Sequence, residues 1–158
     1  MRILGVDPGI ARSGWGVIEV QSSKLKVQSY GCIETLAKLD SSERLKQIYN
    51  TLTKIIEKYN PDALAVEELF FNTNAKTAFI VGQARGVILL AAGQKNIPIA
   101  TYTPLQVKMA ITGYGRAEKS QIGQMVKVLL KLKEIPKPDD VADALAVALT
   151  HAFTNKFK

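Results

Sequence analysis

Cysteine and histidine are almost missing from this chain, which has one of each, Cys32 and His151, in 158 residues. A lone cysteine excludes an intrachain disulfide and a cysteine-rich metal cluster. With one histidine, neither a zinc hydrolase site nor an imidazole relay is easy to assemble. Cys32 lies in the apolar stretch Tyr30-Gly-Cys-Ile33 and reads as a buried thiol rather than a nucleophile. Long hydrophobic runs are scarce too. No apolar run of signal-peptide length precedes Asp7-Pro8, and the longest uncharged apolar stretch, Gly86 to Gly93, falls far short of a bilayer span, so a cytoplasmic protein is expected. The glycines follow no fixed period, and 47% of residues are hydrophobic, which argues against both repeats and disorder.

What the chain has in excess is positive charge. Lys and Arg total 21 against 14 Asp and Glu, a formal net charge of +7. Such a balance fits a polyanionic partner, or simply keeps the protein soluble. The length suits one domain, residues 1–158, that can bury roughly two-thirds of the surface of its extended form. The basic end, residues 155–158, either touches a polyanion or frays.

Alternating and helical periodicities organise the chain. Residues 2–8, then Gly14 to Val20, then Lys26 to Ile33 read as an antiparallel meander, with Pro8 and Gly9 at the first turn. Leu45, Ile48, Tyr49, Leu52, Ile55, Ile56 and Tyr59 recur at helical spacing, with Ser41 or Ser42 as the cap. Asn60-Pro61-Asp62 stops that helix before a strand at 63–69. A long helix over 75–92, a fifth strand at Ile97 to Thr101, a short helix from Pro104, and helices at Lys119 to Leu132 and Asp139 to Phe153 complete the series. This order predicts one α/β domain with three early antiparallel strands and two later parallel ones.

Carboxylates recur where they are costly. Asp7 ends an apolar strand, either pointing inward with a charge partner or metal, or initiating the turn by bonding to the backbone. Glu67 and Glu68 end a second strand and point to opposite faces, Glu67 sharing the face of Ala65. Asp139 and Asp140 suit a helix N-terminus, whereas Asp143 lies one turn into a helix that is otherwise apolar. Asp140 and Asp143 face the same way and repel one another unless a cation joins them. An oxygen-only set of Asp7, one of the two glutamates, Asp140 and Asp143 suits Mg²⁺ or Mn²⁺, and two such ions suit an in-line phosphoryl displacement.

These segments carry a resemblance. GVDPGIARSGWGV at 5–17, SERLKQIY at 42–49, AVEELFF at 65–71, GQARGV at 82–87, QVK at 106–108, GYGRAEKSQ at 113–121 and PDDVADALAVALTH at 138–151 together resemble the RuvC family of bacterial crossover junction endodeoxyribonucleases. The resemblance spans essentially the whole chain. It implies a ribonuclease-H-like fold, a mixed five-stranded sheet with helices on both faces. It also implies a homodimer that uses Mg²⁺ to nick symmetric strands of a four-way (Holliday) DNA junction, leaving 5′-phosphate and 3′-hydroxyl ends. By resemblance the catalytic, metal-holding carboxylates are Asp7, Glu67, Asp140 and Asp143, and the RuvA-RuvB branch migration complex is a partner. Some relatives carry His where this chain has Asp140.

The remaining candidates concern DNA. Phe70 and Phe71 either cap the core or stack on a distorted base, and the resemblance favours Phe70. Lys108, Arg116 and Lys119 flank the Gly113-Tyr-Gly115 turn and suit a phosphate path. The helix over 75–92 is apolar nearly all round and needs a second cover, either a partner subunit or the terminal helices of the same chain. Arg85 on it then points to DNA or across the interface. Two competitors are an actin-like or sugar-kinase-like ATPase, which requires a second domain, and a noncatalytic junction-binding adaptor.

Overall fold

The computed structural model describes residues 1–22, 24–68 and 74–155. Five strands, β1 (Arg2–Asp7), β2 (Arg12–Gln21), β3 (Lys24–Glu34), β4 (Ala63–Glu67) and β5 (Ile99–Tyr102), form one sheet in the order β3-β2-β1-β4-β5. β1 to β3 form the expected antiparallel meander, and β4 and β5 run parallel to β1. Helices α1 (Ser41–Tyr59) and α2 (Ala75–Gln94) cover one face. On the other lie α3 (Pro104–Thr112), α4 (Lys119–Leu129) and α5 (Asp139–Asn155).

Strand alternation sorts the two cores. Leu4, Val6, Val17, Leu64 and Val66 pack under α1 and α2, while Ile3, Ile18 and Ala65 pack under α3 to α5. α5 is the central helix of its layer, with ten buried residues, most of them Ala, Val or Leu. It sits on the sheet where side chains are missing. A Cβ on Gly5 falls 2.0 Å from the carbonyl oxygen of Ala144, and one on Gly14 falls 1.9 Å from that of Asp140. Only glycine admits the helix backbone this close.

Several boundaries differ from expectation for local reasons. The cap of α1 is Asp40 rather than Ser41 or Ser42. Its carboxylate accepts from the Glu43 N–H at 2.9 Å and from the Ser42 hydroxyl at 2.7 Å, making it the stronger acceptor for the helix end. β5 starts at Ile99 rather than Ile97, because the Ile97 N–H closes the end of α2 on Ala92 and Pro98 has no N–H to give the ladder. α4 stops at Leu129, with Lys131 left-handed at φ 53°.

The terminal helices do not cover α2, since they lie across the sheet from it. Ala84, Ile88, Ala91 and Ala92 of α2 are buried, while Phe79 and Leu90 are 69% and 53% exposed. By length and apolarity alone α2 could span a bilayer, but Arg85 stands mid-helix and its alanine face packs into the core.

The seating of α5 predicts a contrast between glycines. Gly14→Ala should cost ~2–3 kcal/mol through overpacking, read as a Tm lower by ~5–10 °C. Gly93→Ala, on α2 with open space around the added methyl group, should leave Tm unchanged or raise it slightly. Equal Tm values for the two variants would contradict this account of the helix–sheet contact.

Candidate active site

Strand register brings the acidic residues to one end of the sheet. Asp7 and Glu67 terminate neighbouring parallel strands, one step beyond the Val6–Val66 pair. Asp7 shares the face of Ile3 and Gly5, and Glu67 the face of Ala65, so both look toward α5. Gly14 pairs with Asp7 across β1 and β2 and also carries the backbone of Asp140. The first turns of α5 therefore hang Asp140 and Asp143 over the ends of β1 and β4. Glu68, the alternative to Glu67, is exposed, and its N–H donates to the Tyr102 carbonyl at 2.8 Å.

The electrostatics record this convergence. Burial pushes the Asp7 carboxyl up from 3.8 to about 8, and the negative charges of Asp143, Asp140 and Glu67 add to the effect. Glu67 is raised by burial and then by Asp143, while Lys119 and Lys108 oppose the shift. Lys119 Nζ donates to Asp143 Oδ2 at 2.8 Å, and that bond raises the Lys119 pKa. Arg12 Nε stands 3.9 Å from Asp140 Oδ2. Lys108, Lys119, Glu67 and Asp143 line a cleft of about 90 Å³ floored by Val107 and Ile122.

The sequence-predicted residues thus divide. Asp7, Glu67, Asp140, Asp143, Lys108 and Lys119 lie together. Arg116 is exposed in the α3–α4 turn, away from that cleft's lining. Arg85 Nη2 reaches Thr101 Oγ1 at 3.4 Å on the opposite sheet face, and its Nε is buried without a partner among the described residues. Phe70 and Phe71 lie outside the described residues. Arg12 was missed, although it sits within the 5–17 motif three residues after the turn glycine. Cys32 is half-buried, and burial followed by Asp140 raises its pKa, so the thiol stays protonated.

The donor chemistry fits a hard divalent cation: four carboxylates and no sulfur, with Asp7 half-buried among like charges. As placed, no three acidic, imidazole or thiol groups among the described residues stand close enough to hold an ion. Lys119 takes Asp143, and Arg12 lies beside Asp140.

The model of the RuvC family, crossover junction endodeoxyribonuclease, matches residues 3–151. The chain belongs to the RuvC family. It is 59% identical over 157 residues to the RuvC of Alkaliphilus oremlandii, covering 99% of this chain and 96% of that relative. With the RuvC of Halothermothrix orenii it shares 62% identity over 151 residues, 96% and 92% of the two chains. The solved structure of Thermus thermophilus RuvC in complex with Holliday junction substrate superposes with a TM-score of 0.94 at 39% identity, covering 99% and 96%. The yeast mitochondrial Holliday junction resolvase, at 17% identity and a TM-score of 0.65, shares the fold. As a member of that family, the chain is an endonuclease with the expected ribonuclease-H-like sheet, and the ATPase and adaptor readings are set aside.

The Asp7 shift fixes the sign of a pH effect. Asp7 holds its proton more tightly in the folded protein than at its ordinary pKa of 3.8 in the unfolded chain. Metal-free stability should therefore fall as pH rises from about 4 to about 8 and level off above. Asp7→Asn removes the cost, so its Tm should exceed that of the parent by ~5 °C or more at pH 8 and by clearly less at pH 5. A Tm difference independent of pH would contradict the assignment.

Proposed function

We propose that the chain resolves four-way DNA junctions by paired, metal-dependent phosphodiester hydrolysis that leaves 5′-phosphate and 3′-hydroxyl ends. The observation that carries this reading is that the ends of β1 and β4 and the first turns of α5 bring Asp7, Glu67, Asp140 and Asp143, from three distant chain segments, to one end of the sheet. These four carboxylates are the proposed ligands of Mg²⁺, two ions per site, with Mn²⁺ as a substitute. A divalent ion held there supplies Lewis acidity for the attacking water and charge stabilisation for the departing 3′ oxygen.

The chain's own cations do the rest. Lys119 neutralises Asp143 in the absence of DNA, and its side chain is 73% exposed and free to swing to a phosphate oxygen. Lys108 borders the same cleft and offsets Glu67. Between them they draw a polyanion onto an acidic centre that otherwise repels it. Arg116 extends the phosphate path, Phe70 stacks on a distorted base next to the cut, and Arg85 reaches DNA or the partner subunit.

A homodimer mated through the exposed apolar face of α2 supplies the second incision. Phe79 and Leu90 are the large side chains such a partner would cover. Two active sites at a fixed separation fit equivalent strands of a two-fold junction and need not fit linear duplex. The cytoplasm is the proposed location, and the RuvA-RuvB branch migration complex the proposed collaborator.

Three results follow on a synthetic four-way junction. Asp7→Asn should abolish Mg²⁺-dependent nicking while junction binding in EDTA persists, and undiminished cutting would overturn the metal-site assignment. Lys119→Ala should lower the cutting rate about 100-fold, as loss of one preorganised charge contact does. Phe79→Glu with Leu90→Glu should give monomers by light scattering and uncouple the two incisions. A dimer unaffected by that pair would place the interface elsewhere.

A further inference from the structure

Beside the carboxylate cleft is a larger cavity that the reading above leaves without a role. About 590 Å³ in volume, it lies between the end of α3, the α3–α4 turn and the outer side of α4. Thr112, Tyr114, Ser120, Gln121, Gln124 and Met125 line it. We infer that this cavity receives an unstacked nucleobase of the junction DNA, with Tyr114 as the stacking plate. The inference rests on the chain acting on DNA junctions, and it names a recognition element of that same site.

The lining chooses base over phosphate. No lysine or arginine among the described residues lines the cavity, and its polar groups are amides and hydroxyls that both donate and accept, as base edges do. Tyr114 is 57% exposed, so its ring face is open to a stacking base. Gln121 gives its Oε1 to the Glu118 N–H at 2.8 Å, which leaves its NH₂ to donate. The Thr112 hydroxyl accepts from the Tyr114 N–H at 3.1 Å and donates to the Lys108 carbonyl at 2.8 Å. That pair of bonds holds the turn carrying Tyr114 to the helix carrying Lys108. Ser120 and Gln124 stand exposed along the helix, and Met125 supplies an apolar floor.

The charges lie where the flanking phosphates would run. Arg116 is two residues from Tyr114, and Lys119 adjoins Ser120 while its ammonium sits on Asp143. Ser120 also lines the neighbouring cavity that reaches Asp139 and Asp143, so this one residue borders both spaces. A strand whose scissile phosphate lies at Asp143 can therefore carry its backbone along Lys119 and Arg116 and turn one base toward Tyr114. In four-way DNA the bases next to the crossover are the least costly to unstack.

Photocrosslinking tests this directly. Four-way junctions carrying 5-iododeoxyuridine at successive positions near the crossover are bound to the full-length protein in EDTA, irradiated and mapped by mass spectrometry. One or two positions should crosslink to the peptide containing Tyr114. Tyr114→Phe should retain that crosslink and bind within twofold of the parent. Tyr114→Ala should lose it, bind about tenfold more weakly, and show an altered ratio of cutting rates between junctions that differ only at the crosslinked base. Junctions that are bound and cut, yet never crosslink to Tyr114, with Tyr114→Ala cutting every sequence like the parent, would overturn the base pocket and leave the nuclease reading intact. A parent protein that neither binds nor cuts four-way DNA would instead overturn the reading on which the pocket rests.

Discussion

The close seating of α5 on the sheet is the constraint from which the site follows. Gly5 and Gly14 leave room for the carbonyl oxygens of Ala144 and Asp140 where any Cβ would collide. That contact sets the depth and rotation of the helix, so Asp140 and Asp143 arrive above Asp7 and Glu67. Burial of the helix's alanines, valines and leucines supplies the favourable free energy, and crowding of the carboxylates is the opposing cost. A helix held one side chain further from the sheet would keep its apolar contacts but separate the four acids.

The crowding is not left wholly uncompensated. Lys119 bridges to Asp143, Arg12 stands by Asp140, and Lys108 acts on Glu67, while Asp7 at the centre has no ion-pair partner among the described residues. Burial first, and then these like charges, raise the Asp7 pKa to about 8. Functional sites concentrate such frustrated charge because the ligand that relieves it is then bound and oriented by the same groups. Here the long, exposed Lys119 side chain is the adjustable part, and the strand-borne carboxylates are the fixed part.

Much of this arrangement was legible in the residues. Strand alternation puts Glu67 and Glu68 on opposite faces, while the choice of Glu67 came from the family resemblance, and the i, i+3 spacing puts Asp140 and Asp143 on one side of α5. The meander and the two later parallel strands were likewise readable. That segments so far apart converge was not, because periodicity carries no information on which strands neighbour; the family resemblance supplied it. Local competition explains the boundary errors. An aspartate outbid two serines at the start of α1, and Pro98 delayed β5. The role of Gly5 and Gly14 was invisible for a different reason. A glycine in a strand reads as a weakness until the helix that needs its missing side chain is in place.

The most direct test of the central claim is the titration of the Asp7 carboxyl carbon, followed by NMR in the metal-free protein. The account predicts a midpoint near 8, falling sharply when Mg²⁺ is added. An ordinary carboxylate midpoint near 4, unmoved by Mg²⁺, would contradict a site built by crowding these four acids beneath α5.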